Sequence, residues 1–438
     1  MLGKLRRVEK MKTIIISSNC SGGGKTTFTL GLMKALKNRN YKVQGFKSGP
    51  DYIDTGFHTE ITGQNSRNLD LHLMGEDGVK ASFSRGNGDV AIIEGAMGLY
   101  DGIGITEECS TYSISKTLNN APILLVISPK AQSTTLCAEI NGIKDFRNAN
   151  IIGVVLNSIS ESYYNLLKKN IEVNCNLKVF GYIPKEESIK LSSRHLGLVQ
   201  SIEVDNLKDK IQICADLIEK NINLDELIKE FKYIEKYEDK FHIRNKNLKI
   251  AVAYDEAFRF YYKENLELLE EAGEVIYFSP LKDSKLPENI DFLYLGGGYP
   301  EVFKEELSKN KSMLNSIKNA LESGVKCYGE CGGLMYLTEK IDNVPMVGFF
   351  SGESCMTSRL NRFGYASVEV NGIKINCHEF HKSKVDLNEK TIYKVYKNMY
   401  TGEKKTWECG YEKNNTLAGY PHIHFFSNME FLRCLLDK

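Results

Sequence analysis

The chain has 438 residues, of which 42% are apolar and 26% charged, and its formal net charge is +1. That length exceeds one ordinary hydrophobic core and predicts two or three domains of the soluble, globular kind. The near-neutral balance argues against coating a polyanion, and no apolar run reaches membrane-spanning length, so neither nucleic acid nor a membrane is expected as a partner.

Residues 1–10 (MLGKLRRVEK) are polar and precede the first apolar run at Met11. From there the first half alternates apolar strands with amphipathic helices. Strands are predicted over 13–17, 42–46, 90–93, 123–127, 151–156 and 178–183, with a helix over 25–37, the pattern of a mostly parallel α/β sheet. From 216 the chain becomes charged and helical, which places a linker at 221–247 between domains 11–220 and 248–438. A second α/β series follows, with strands at 248–254, 275–278 and 292–295 and helices at 262–272 and 301–321. After an apolar run ending at 330 the pattern turns β-rich, over 366–370, 373–381 and 417–420. Eleven cysteines without a CxxC pair, in a chain carrying no signal-peptide core, predict reduced thiols and a cytoplasmic location.

Two stretches carry chemistry. The first is Ser21-Gly22-Gly23-Gly24-Lys25-Thr26-Thr27, between a strand and a helix. It departs from the full phosphate-loop pattern only in having Asn19 at the first glycine position. Gly22, Gly23 and Gly24 let backbone N–H groups converge on phosphate, Lys25 adds a cation, and Thr26 offers a hydroxyl to Mg²⁺. Asp51 and Glu94 each follow an apolar strand, where ligands of open α/β sheets gather. Thr26, Asp51 and Glu94 together would give Mg²⁺ the hard oxygen ligands it prefers. Taken singly, Asp51 is equally a turn residue and Glu94 equally a strand-end acid paired with lysine.

The second stretch is Gly329-Glu330-Cys331-Gly332-Gly333. A nucleophile among glycines between strand and helix is an elbow, raising the thiol above the sheet beside backbone donors. A helix N-terminus there would favour the thiolate. The base has two candidate clusters, His378/His381 and His422/His424. In a regular strand His422 and His424 would share a face, so only loop geometry can separate them.

From Met11 onward the chain resembles the cobyrinic acid a,c-diamide synthase family. The resemblance rests on SGGGKTT (21–27), FKSGPDYIDTGFH (46–58), SRNLD (66–70), IIEGAMGLYDG (92–102), VVLN (154–157), RHLGL (194–198), GGGYPE (296–301), GECGGLMYL (329–337), HEFHKS (378–383) and GYPHIHF (419–425). Thr55 departs from it, standing where the family usually has proline. The resemblance implies a dethiobiotin synthetase-like phosphate-loop domain followed by a class I glutamine amidotransferase-like domain. It implies ATP with Mg²⁺, glutamine and a cobyrinic acid-like tetrapyrrole as substrates, and a possible homodimer. It also implies Cys331 as nucleophile, His422 of the Tyr-x-His segment as base in a catalytic dyad, Tyr52 and Asp101 near the tetrapyrrole, and Asn157 near adenine. Tyr52 and Asp101 read equally well as a loop tyrosine and a turn aspartate, and Asn157 as a strand-end turn. Three rivals stay open: amidation of a nickel sirohydrochlorin, cobyric acid synthesis, and a partitioning-type ATPase switch fused to a non-catalytic amidotransferase-like module.

Overall fold

A computed structural model describes residues 10–189, 193–194, 197–198 and 206–437. Most of the N-terminal extension, and the side chains of the RHLGL motif, lie outside these. The described chain divides into two compact units, one holding residues up to Leu71 with Glu76–Lys240, the other His72–Gly75 with the chain from Phe241 onward.

The first unit is built on a sheet ordered Arg67–Leu69, Val43–Ser48, Val90–Glu94, Lys10–Ser17, Ile123–Ile127, Ile151–Asn157, Lys178–Ile183. These seven strands run parallel. Runs such as Ile123–Ile127 (ILLVI) are buried at every position, as expected for strands covered on both faces by crossover helices. Lys10–Ser17 sits where the strand order reverses, so its C-terminal end opens onto the crevice in which such sheets bind ligands. The helix that follows, Lys25–Asn38, packs closely on Leu207–Asn221. At Gly31 a Cβ would fall 2.5 Å from Cys214 Sγ, so only glycine permits that approach.

Two expectations change here. The first strand starts at Lys10. The stretch 221–247, expected as a linker, carries the helix Leu224–Lys229 and the strand Lys232–Glu235, which pairs antiparallel with Lys10–Thr13. Its charged residues suggested a solvated tether, but Leu227, Ile228 and Ile234 are buried. The units part at Lys240 and Phe241 instead.

The second unit has a ten-stranded sheet. Gly273–Phe278, Leu248–Ala253, Phe292–Leu295, Lys326–Glu330 and Thr416–Gly419 are parallel. Lys404–Lys413, Thr391–Asn398, Arg362–Val370, Ile373–His381 and His422–Ile423 continue it antiparallel. Thr416–Gly419 and His422–Ile423 are separated by only Tyr420 and Pro421, yet four strands lie between them in the sheet order. The antiparallel strands therefore curl round until the last meets the continuation of the first, and this closure carries His422 back toward the parallel half. The helix expected over 301–321 is two, Lys304–Lys309 and Lys311–Glu322. Asn310 divides them, its side chain accepting the Met313 N–H as an N-cap. Among the described residues no helix is long and apolar enough to cross a membrane, and all eleven cysteines are free thiols.

Candidate active sites

In the first unit the strand Lys10–Ser17 delivers the glycine loop to the start of Lys25–Asn38. Gly24 takes φ 93° and caps that helix without a side-chain bond, leaving the early amides directed out of the helix end. A Cβ on Gly24 would fall 2.1 Å from Asn157 Nδ2, and one on Gly23 2.1 Å from Ser18 Oγ. Asn157 Nδ2 donates to Ser128 Oγ at 2.9 Å, and Ser128 Oγ donates to the Gly23 carbonyl at 3.0 Å. Asn157 is thus part of the wall supporting the loop. Lys25 Nζ donates to the carbonyls of Cys20 (2.9 Å) and Met97 (2.6 Å). Burial first, then the charge of Lys47, lowers its pKa.

Glu94 is the hub beside this loop. Its Oε1 accepts from Thr26 Oγ1 at 2.5 Å and Lys47 Nζ at 3.0 Å, and its Oε2 lies 2.8 Å from His58 Nε2. Lys47 also pairs with Asp54 at 2.6 Å, and His58 Nδ1 lies 3.1 Å from Ser66 Oγ. All these side chains except Thr26 are buried. Burial works to raise the Glu94 pKa, but the Lys47 ammonium and the His58 hydrogen bond overcome it and hold the carboxylate well below its usual range. Burial, then Asp51 and Glu94, pushes Asp54 well up. The two carboxylates around one lysine are therefore shifted in opposite directions.

Lys47, Asp54 and His58 were not singled out from sequence; all lie inside the FKSGPDYIDTGFH motif, which was the available signal. Of the expected metal ligands, Thr26 and Glu94 come together. Asp51 serves another purpose: it caps the helix Tyr52–Thr62, its Oδ1 accepting from Ile53 N (2.8 Å) and Asp54 N (3.0 Å). Tyr52 opens that helix and is half-buried. Thr27 lies in the first turn of the loop's helix, its carbonyl accepting from Cys214 Sγ. Asp101 is exposed, and its Oδ2 accepts the Gly98 N–H at 2.8 Å.

In the second unit the strand Lys326–Glu330 runs into the short helix Gly332–Leu337. Cys331 occupies the turn at φ 49°, ψ −99°, a left-handed conformation costing about 1–3 kcal/mol for a non-glycine residue. Its N–H donates to the Gly419 carbonyl at 2.8 Å. Glu330 is in register with Gly419, so Cys331 and Tyr420 stand level at the ends of adjacent strands, with His422 two residues further on. A Cβ on Gly332 would lie 3.1 Å from Gly298 N, and one on Gly297 2.4 Å from His422 Cε1. The Gly297–Gly298 segment therefore touches both the elbow and the imidazole.

The electrostatics of this site favour neutral groups. Burial above all, then Glu301, pushes the Cys331 thiol well up, with the Gly332 amide opposing. The helix N-terminus was expected to favour the thiolate; the Gly332 amide pulls in that direction, but burial of the thiol pulls the other way and is the larger effect. Burial, then the charge of His381, lowers His422 to about 3, so its imidazole is neutral at ordinary pH. His424 is turned elsewhere, its Nε2 3.4 Å from Glu264 and its Nδ1 accepting the Phe426 N–H.

Glu330 was read only as part of the elbow, yet it is a buried carboxyl accepting from Tyr294 (3.0 Å), Tyr328 (2.9 Å) and the Ile423 N–H (3.1 Å). Burial raises its pKa to about 7 against those donors.

Known proteins match this layout. Residues 14–199 match the CobQ/CobB/MinD/ParA nucleotide binding domain, and residues 249–430 the CobB/CobQ-like glutamine amidotransferase domain. A cobyrinate a,c-diamide synthase of Clostridium tetani is 61% identical over 98% of this chain and 100% of its own. That of Clostridium acetobutylicum is 63% identical over 97% and 100%. That of Caldanaerobacter subterraneus is 43% identical over 98% of each chain. Matched from end to end at this level, with both domain models in the order of its two units, the chain belongs to the cobyrinate a,c-diamide synthase family.

Proposed function

We propose that the protein amidates the a and c acetate carboxylates of cobyrinic acid, using ATP and glutamine, as a cytoplasmic ligase of cobalamin biosynthesis. The observation that carries this reading is the strained Cys331 elbow, with the Gly298 amide beside Gly332 and the neutral His422 ring against Gly297. The names of relatives at 61–63% identity support a corrin over a nickel sirohydrochlorin.

In the second unit Cys331 attacks the glutamine carboxamide while His422 accepts the thiol proton and passes it to the leaving ammonia. Amides of Gly297, Gly298 and Gly332 hold the developing oxyanion. Water then hydrolyses the thioester to glutamate. In the first unit a substrate carboxylate attacks the γ-phosphorus of ATP, ADP leaves, and ammonia displaces phosphate from the acyl phosphate to give the amide.

The loop amides at Gly22, Gly23 and Gly24 and the Lys25 ammonium bind phosphate oxygens, Thr27 supports the loop, and Asn157 lies toward adenine. The donor set fits Mg²⁺: Thr26 and Glu94 present convergent hard oxygens beside the loop and would hold it, whereas Asp51 Oδ1 is committed to its helix cap. Bound there, Mg²⁺ supplies charge neutralisation on the phosphates. Tyr52 and Asp101 flank the carboxylate hub in sequence and position the tetrapyrrole.

Mass spectrometry of product formed from cobyrinic acid, ATP and glutamine tests the reading. Two carboxyl-to-carboxamide conversions are expected; no conversion of the corrin, with turnover of a nickel sirohydrochlorin instead, would overturn it.

A further inference from the structure

We propose that His378 is a positioning residue for the glutaminase reaction, its imidazole lying flat against His422 and fixing the plane of that ring. This rests on the reading of His422 as the base. The two histidines are directly opposed across antiparallel strands, the arrangement in which side chains of neighbouring strands interact most closely. Their ring centroids are 4.8 Å apart and the planes differ by 12°.

The platform is itself held still. His378 Nε2 lies 2.7 Å from the Tyr262 hydroxyl, and Tyr262, 1% exposed, stands edge-on to it at 82°. On the opposite strand Tyr365 is in register with His378, and its ring packs on His72. Tyr262, His422, Tyr365 and His72 are thus among the titratable groups around it. Burial, then His422 and His72, keeps His378 well below the ordinary histidine range. A neutral ring suits the task, because a cation there would oppose the imidazolium that forms on His422 when it takes the thiol proton.

Two further contacts complete the cradle. Gly297 bounds His422 at Cε1, and Glu330 accepts the N–H of the next residue, Ile423. The motif's other histidine has a different neighbour: His381 stacks on Tyr420 at 3.8 Å and bonds the Ser383 carbonyl. The flat ring on the facing strand thus bears directly on the orientation of His422.

Steady-state glutamate release by the full chain, with ATP and corrin present, separates ring stacking from hydrogen bonding. His378→Phe keeps the flat ring and loses the bond to Tyr262. His378→Asn keeps a polar group and loses the ring, and His378→Leu repeats the ring loss with an apolar side chain. We expect the Asn and Leu variants to lose about 10- to 100-fold in kcat with KM for glutamine changed by less than about threefold, and Phe to retain kcat within about threefold, since a base displaced by a fraction of an ångström loses rate rather than binding. Wild-type kcat in the Asn and Leu variants, or equal loss in Phe and Asn, would overturn the proposal. His422→Ala isolates the underlying reading: undiminished glutamate release there removes His422 as base, whatever the His378 variants do.

Discussion

The carboxylate hub of the first unit and the thiol site of the second are both buried, yet they solve burial in opposite ways. Around Glu94 the charges are kept and compensated, with one lysine between two acids and a histidine and a threonine closing the shell. Around Cys331 charge is suppressed, leaving a neutral thiol and a neutral imidazole. Fixed charge suits a site that binds nucleotide phosphates, because it is in place before the ligand arrives. Neutral groups suit the proposed glutaminase, whose first step would move a proton between partners, because charge then develops only when substrate is present.

The comparison can be broken most severely at Glu94. Glu94→Ala leaves Lys47 with Asp54 alone in a buried site, and removing one partner of such a group costs about 3–5 kcal/mol. A fall in unfolding free energy of that size, with ATP-dependent amidation lost, is expected from denaturant titration and product assay. An unchanged midpoint would mean the hub's charges are not mutually compensating.

A smaller effect is expected at Gly297. Its Cβ in Gly297→Ala would come 2.4 Å from His422 Cε1, so the imidazole must move and kcat for glutamate release should fall about 10- to 100-fold. The same kcat as wild type would separate His422 from the segment that bounds it.

The smallest effect sharpens the contrast through pH. Glu330 has its folded pKa raised by burial from 4.5 to about 7. The folded state therefore holds a proton that the unfolded state releases, and the associated stability is complete below about 4.5 and lost as pH rises to about 7. Glu330→Gln should remove this term, so the variant gains thermal stability relative to wild type at pH 8 and matches its trend near pH 4.5. Parallel melting curves for the two proteins across that window would show that Glu330 does not titrate there.

Much of this was legible in the chain. GKTT after a β-branched run and GECGG after an apolar run each define local geometry within a few residues, so the loop and the elbow could be placed without a fold. Glu94 could be placed too, because strand ends gather ligands. What could not be read was convergence: Lys47, Asp54 and His58 come from a strand end and the turns of the next helix, and only packing brings them onto Glu94. The pairing of His378 with His422 depends on the sheet closing on itself, which no local pattern encodes. Strands Thr391–Asn398 and Lys404–Lys413 were missed for a different reason. Their Lys- and Glu-rich alternation (KKTWECGYEK) is that of a half-exposed hairpin, with Trp407 and Cys409 marking the inward side.

The central claim is that nitrogen is freed at Cys331 and captured in the other unit, and Cys331→Ala tests it by nitrogen source. Amide formation on the corrin, followed with glutamine and separately with ammonium, should vanish for the first and persist for the second. Loss of both in a variant with a native melting profile, or continued turnover of glutamine, would contradict the account.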